Sequence, residues 1–146
     1  MRFVSLFFTL FFSTVVVADN PTKNIIPLQV SGHTLTAEVA HTATTRAQGL
    51  MHRDTLAENS GMLFVFPRVG RYSMWMLNTS IPLSVAYIDE KGAILNILDM
   101  APHTTIAHSS AGLAKYALEM NQGWFSANQI KVGERVMGLK QAPAAE

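Results

Sequence analysis

The pattern of apolar and polar positions along this chain predicts a succession of short strands. Leu35, Ala37 and Val39 alternate with Thr34, Thr36 and Glu38, which predicts a half-buried strand over residues 34–39. Residues 28–30 read as extended. The apolar run 61–66 predicts a strand stopped by Pro67, and Gly70 marks a turn before a further strand over 71–77. These two runs are placed to pair as a hairpin. Residues 83–88 and 93–98 predict a second hairpin, joined by the turn Asp89-Glu90-Lys91-Gly92. Residues 115–121 predict a strand, and a last short strand begins at Gly133. Helical signals are brief. Thr42 and Thr45 are both candidate N-caps, Thr45 with Gln48 has capping-box spacing, and Ala47, Leu50 and Met51 form an apolar stripe. Gly49 keeps that helix short. Residues 123–129 hold one helical turn. The pattern predicts a mainly β (α+β) fold: a compact small barrel or a curled, antiparallel-rich sheet with one or two short helices.

The N-terminal residues carry a different pattern. Arg2 precedes an apolar stretch over residues 4–17, and Val16 and Ala18 are small residues placed for cleavage after Ala18. That is the layout of a cleavable signal peptide over 1–18. The stretch is shorter than the ~20 residues of a spanning helix, and no later segment reaches that length. The expected organisation is a polar leader over 19–27, a single β-rich domain over 28–138 and a frayed tail over 139–146. Localisation is then periplasmic or extracellular. Without Arg2, ten Lys and Arg face ten Asp and Glu. A balanced charge argues against nucleic acid as the main partner. The chain has no cysteine, so disulfides, zinc thiolates, iron–sulfur clusters and cysteine nucleophiles are excluded.

Several motifs converge in order along the chain. Arg46-x-x-Gly49-Leu50-Met51-x-Arg53 precedes Gly61-Met62-Leu63-Phe64-Val65-Phe66. Then come Trp75-Met76-x-Asn78-Thr79-x-Ile81-Pro82-Leu83, Tyr116-Ala117-Leu118-Glu119-Met120-Asn121-x-Gly123 and Gly133-Glu134-Arg135-Val136. Together they resemble the uncharacterised bacterial and archaeal family called domain of unknown function 192, over residues 30–136. The resemblance implies a small mainly β domain, often exported, and carries no activity. Two positions depart from the family. Its common lysine after Trp-Met is Leu77 here, and its common aspartate after Ile-Pro-Leu is Ser84. The opposite signs suggest the hypothesis that the two groups pair in relatives and are lost together here.

The candidate chemistry is sparse. Arg46 and Arg53 fall close to one face of the expected helix, where two guanidiniums suit a clamp for carboxylate or phosphate. The preferred reading is structural, each arginine fastening a loop or a carboxylate such as Glu119. Glu119 sits inside an apolar strand, where a lone charge is costly, so a cationic partner is expected. Asn78 and Thr79 close a strand, and their preferred role is in a turn. The alternative places Asn78, Thr79, Glu119 and Asn121 as polar contacts beside Trp75 in an apolar pocket. Trp75 is read as core, and Trp124 is left open. Met74 and Met76 share a strand face with soft sulfurs, which suits Cu(I) in company with a histidine, although methionine more often fills core gaps. No nucleophile elbow, phosphate cradle or dinucleotide fingerprint is present.

These residues favour an exported binding or accessory module for a small molecule, saccharide or peptide, with no cofactor and no metal. Two alternatives remain: a small extracytoplasmic enzyme using Glu119 or a loop histidine (His103, His108) as acid and base, and a Cu(I)-handling protein using Met74 and Met76.

Overall fold

A computed structural model describes residues 23–146. The signal-like segment and the start of the polar leader lie outside the described residues. In chain order the elements are β1 (Ile25–Val30), β2 (His33–Ala40), α1 (Ala43–Gln48), β3 (Ser60–Gly70), β4 (Ser73–Met74), β5 (Leu83–Ile88), β6 (Ile94–Met100), β7 (His108–Ser109), β8 (Ala114–Asn121), α2 (Trp124–Ala127) and β9 (Val136–Met137). Seven strands form one sheet in the order β6-β5-β8-β3-β2-β1-β9. Its pairs are antiparallel except β2 with β3, which is parallel.

The sheet curls until its ends meet. The Ile94 N–H donates to the Glu134 carbonyl at 2.9 Å, Gly133 donates to Ile94 at 2.8 Å, and Val136 donates to Gly92 at 2.9 Å. Residues leading into β9 therefore rejoin the β5–β6 hairpin, which limits exposed edges in a chain without disulfides. The expected mainly β, curled sheet with two short helices is the observed one.

Because side chains alternate across a strand, the central strands supply two cores. Leu28, Val30, Leu35, Leu63, Ile88 and Leu118 fill the inside of the curl, closed by Trp124 and Phe125. Phe64, Leu83, Val85, Tyr87 and Ala117 face outward and are covered by Leu50, Met76 and Ile81. Two segments make that cover. One is the β2-to-β3 crossover that carries α1. The other runs from β4 to β5.

Several local expectations are corrected. The 61–66 and 71–77 runs do not form a hairpin. Both edges of β3 are already occupied, by β2 and by β8, so no free edge is left for the next segment. β3 instead continues through Pro67 to Gly70, with a register shift between Val65 and Gly70. The chain then crosses the outer face, and β4 pairs only with β7. Tyr72 stacks on Phe66 there, with ring centroids 3.6 Å apart. In α1 the capping pair is Thr42 with Thr45, not Thr45 with Gln48, and the helix ends at Gly49 in a positive-φ conformation. The strand β1 begins inside the expected polar leader, at Ile25. The 139–146 tail is docked rather than frayed. Leu139 is buried, and the Glu146 N–H donates to the His41 carbonyl at 2.9 Å.

Gly61 shows how tightly β3 meets β8. A Cβ there would lie 2.4 Å from the Met120 sulfur and 2.5 Å from the Glu119 carbonyl oxygen. The second contact is with backbone and cannot move aside cheaply. Gly61→Ala is expected to lower stability by roughly 1–3 kcal/mol, the usual cost of overpacking, read from the urea midpoint.

Candidate functional site

β8 sends Leu118 and Met120 to the inner core and Ala117 and Glu119 to the outer face. The register places Glu119 opposite Met62 of β3 and Val85 of β5. Its carboxyl group thus stands between apolar neighbours on the middle strand. Glu119 is only 4% exposed. Among the described residues its carboxyl accepts no hydrogen bond and meets no cation. Loss of hydration is not compensated, and burial pushes the Glu119 pKa up to about 8. The carboxyl is therefore mostly protonated at neutral pH.

Glu119 faces a cavity of about 220 Å³ on that outer face. Phe64 and Leu83 share the sheet side with it. Leu50 and Met51, just beyond α1, form one wall, and Met74, Met76 and Thr79 form another. Trp75 lines the cavity while remaining 54% exposed, so it stands at the mouth. The expectation of a core Trp75 is corrected: Trp75 follows β4, a two-residue strand paired only with β7, and nothing covers the outer side of its ring among the described residues. Trp124 is the core tryptophan, with its indole N–H donating to Asn59 Oδ1 at 3.0 Å.

Neither arginine neutralises Glu119. Arg53 forms a two-pronged pair with Glu38, at 2.6 and 2.8 Å. The guanidinium hydrogen bonds hold the Glu38 carboxyl below its ordinary range. Arg46 donates to the carbonyl oxygens of His41, Val65 and Glu146, the last at 2.7 Å. The structural reading of both arginines thus holds, but the expected Glu119 partner does not. The physical reason is the helix stop at Gly49. It takes Arg53 off the helical face and sends it towards β2.

The remaining candidates separate. Thr79 is buried, lines the cavity, and donates its hydroxyl proton to the Leu77 carbonyl at 3.0 Å. Asn78 is exposed, adopts a left-handed φ of 51°, and accepts through its carbonyl from the His52 N–H at 2.9 Å. It is a turn residue outside the cavity. Asn121 ties down the 56–57 loop, donating to the Leu56 carbonyl at 2.8 Å. Ser84 lies opposite Met120, on the inner face of the sheet, and donates to Asp99 Oδ1 at 2.5 Å. Position 84 therefore points away from Glu119. Met51, Met74 and Met76 all reach the cavity, but no histidine lines it, and no cluster of three or more His, Asp or Glu exists among the described residues. His103 and His108 lie outside it as well. A second groove of about 510 Å³ runs beside β2 and α1, lined by Glu38, His41 and Arg53 and sharing Gln48 and Gly49 with the first.

The pairing register and the crossover built this site from residues that were singled out separately, such as Glu119 and Thr79. Others, such as Leu50, Met51, Phe64 and Leu83, read only as core. An acidic residue inside an apolar strand was the one sequence signal for the cavity floor.

The fold and cavity define a small curled-sheet domain with a covered outer face. The chain belongs to the domain of unknown function 192 family, DUF192, described as "Uncharacterized ACR", whose model matches residues 26–138. Two solved structures are similar. A "putative transcription regulator" from Sinorhizobium meliloti 1021 is 33% identical with a TM-score of 0.77, covering 80% of this chain and 95% of that one. A protein of unknown function from Novosphingobium aromaticivorans DSM 12444 is 32% identical with a TM-score of 0.74, covering 77% and 84%. No curated protein matches.

The raised Glu119 value has a definite sign. Folded chain holds the proton to about pH 8, whereas unfolded chain releases it near pH 4. The protonated carboxyl's contribution is complete below the unfolded value and is lost as pH rises through about 8. Wild-type stability is expected to fall by up to ~1.4 kcal/mol per pH unit across that window. Glu119→Gln should flatten this slope and be the more stable protein at pH 8, measured by urea denaturation at several pH values. Equal slopes would place a counter-charge at Glu119.

The Glu38–Arg53 pair has the opposite sign, because Glu38 is held low. Arg53→Ala should cost about 0.5–1 kcal/mol at neutral pH, the worth of a partly exposed pair. That cost should disappear in acid as Glu38 protonates.

Proposed function

We propose that this protein is an exported ligand-binding module and that its site is the cavity beneath Trp75. The observation that carries the reading is Glu119, a buried carboxyl facing open space with no partner among the described residues. A structural role would satisfy such a group internally, since leaving it unpaired costs stability. A ligand that supplies the missing partner recovers that cost on binding. The exposed Trp75 ring at the mouth adds contact area that solvent gives up when the site fills. The cavity is smaller than a typical drug-sized pocket, which fits a small molecule or one side chain of a peptide. Export rests on the signal-like residues 1–18.

The acid–base alternative draws on the same carboxyl, since a group protonated near neutrality suits a general acid. Among the described residues the cavity lining supplies no second carboxyl or histidine and no activated nucleophile beside Glu119. Ser73 lines it, but its hydroxyl is paired with Ser109 at 2.7 Å. Binding without chemistry is the simpler account of these groups. Near-balanced charge leaves little cationic surplus for a phosphate backbone, which argues against a nucleic-acid-binding role for this chain.

A thermal-shift screen of metabolites and short peptides against the full chain tests the reading. A true ligand should raise the melting temperature of wild type and quench tryptophan emission. Trp75→Ala, which removes an exposed ring and should cost under ~0.5 kcal/mol, should lose both responses. Hits that ignore Trp75→Ala and Glu119→Gln alike would move the site elsewhere. For export, the protein recovered outside the cytoplasm should begin at Asp19.

A further inference from the structure

We propose that the cavity takes a primary alkylammonium group, accepted by the Glu119 carboxylate and the Thr79 hydroxyl oxygen, with its stem against Trp75. This rests on the reading of the cavity as a ligand site and names the chemistry that fits it.

The hydrogen-bonding inventory of the lining decides the class. Several of its inward donors are engaged, while the Gln48 amide and the Trp75 indole N–H, both on exposed residues at its edge, donate to nothing among the described residues. The main-chain N–H groups of Gly49, Met51, Met76 and Thr79 donate to Thr45, Gln48, Thr104 and Met76 respectively. Arg46 is directed onto three carbonyl oxygens. The Thr79 proton is committed to Leu77, which leaves its oxygen lone pairs as acceptors. What the cavity has left is acceptor capacity at Thr79 and a carboxyl group at Glu119. A cationic donor is the ligand that turns the buried Glu119 acid into a paired carboxylate, which a neutral or anionic ligand does not do. A sulfate or carboxylate would have to leave Glu119 protonated and would find its other side-chain donors only at the exposed edge, at Gln48 and Trp75.

Shape and polarity narrow the donor further. A guanidinium carries five N–H groups in a rigid fork, more than this lining can satisfy. An ammonium carries three on a compact head. The apolar walls at Leu50, Phe64 and Leu83 suit a methylene stem, and an exposed indole face at the mouth attracts a cation on its way in.

The charges around Glu119 are few. β3 presents Met62 and Phe64 to it, and β5 presents Leu83, Val85 and Tyr87. The Tyr87 hydroxyl donates to the His108 carbonyl at 2.6 Å and stays un-ionised, held up by burial. β4 and the following loop present Met74, Met76 and Thr79, none of them ionisable. Arg46, from α1, is the lining's own cation among the described residues. Its carbonyl partners draw it away from the carboxyl. Binding then exchanges one cation for another: the ammonium enters, Glu119 releases its proton to solvent, and charge in the cavity stays balanced.

An alkylammonium has two natural sources, a free amine and a lysine side chain. Titration of the full chain with n-butylammonium and with Nα-acetyl-lysine methylamide separates them, using n-butanol and Nα-acetyl-norleucine methylamide as uncharged controls. Tryptophan emission reports occupancy, and calorimetry in buffers of different ionisation enthalpy reports proton release. Both ammonium compounds, or the lysine compound alone, should bind at least tenfold more tightly than their controls. Affinity should rise by about tenfold per pH unit between pH 6 and 8, with about one proton released per ligand at pH 6. Glu119→Gln should abolish the charge preference and the pH dependence while still melting cooperatively, and Thr79→Val should weaken binding several-fold. Equal binding of the uncharged controls, a flat pH profile or full affinity in Glu119→Gln would overturn the ammonium assignment. If amines fail while an uncharged ligand still gives a Trp75-dependent shift, the assignment falls and the cavity reading stands. If nothing binds, both fall.

Discussion

With β3 on one edge and β5 on the other, β8 has both edges hydrogen-bonded and both faces covered. That constraint shapes the rest of the molecule. A strand in this position buries its middle residues, Ala117 to Met120, including Glu119. The carboxyl cannot turn to solvent without breaking one of two ladders, and the register gives it apolar neighbours on either side. The polar group is therefore held in place by pairing energy drawn from the whole sheet. Its own environment is unfavourable to charge.

The cavity above it follows from topology. One parallel pair, β2 with β3, needs a connection that leaves the sheet and returns. That connection carries α1 across the outer face. α1 is short, and at Gly49 the backbone comes so close to Phe64 that a Cβ would lie 3.2 Å from its ring. The segment from β4 to β5 covers the remainder, fastened through the β4–β7 pair and the Tyr72–Phe66 stack. Two short pieces of cover, anchored separately, meet over Glu119 without filling the space between them.

Charge is arranged so that this space keeps its character. Arg53 is engaged by Glu38, and Arg46 by backbone carbonyls. Each fixes a segment of cover to the sheet, and neither quenches the buried carboxyl. The same guanidiniums that suit anion binding in isolation here hold the walls, so the uncompensated group is an acid.

Much of the architecture was legible in the chain. Period-two patterning found β2, apolar runs found the β5–β6 hairpin and β8, and Asp89-Glu90-Lys91-Gly92 marked the hairpin's turn, because local patterning and turn chemistry need only near neighbours. Glu119 stood out for the same reason, as one charge inside an apolar strand. The partner of that charge was not legible. It depended on where α1 stopped, on β3 pairing with β2 and β8 rather than with the segment after Gly70, and on β4 crossing the outer face with Trp75 turned to solvent. The sequence by itself determined most of the strands, the absence of cysteine and the presence of an acid inside an apolar strand. Only the tertiary structure decided that the acid faces a cavity instead of an arginine, because strand pairing and cover are set by competition among distant segments for the same edges and faces.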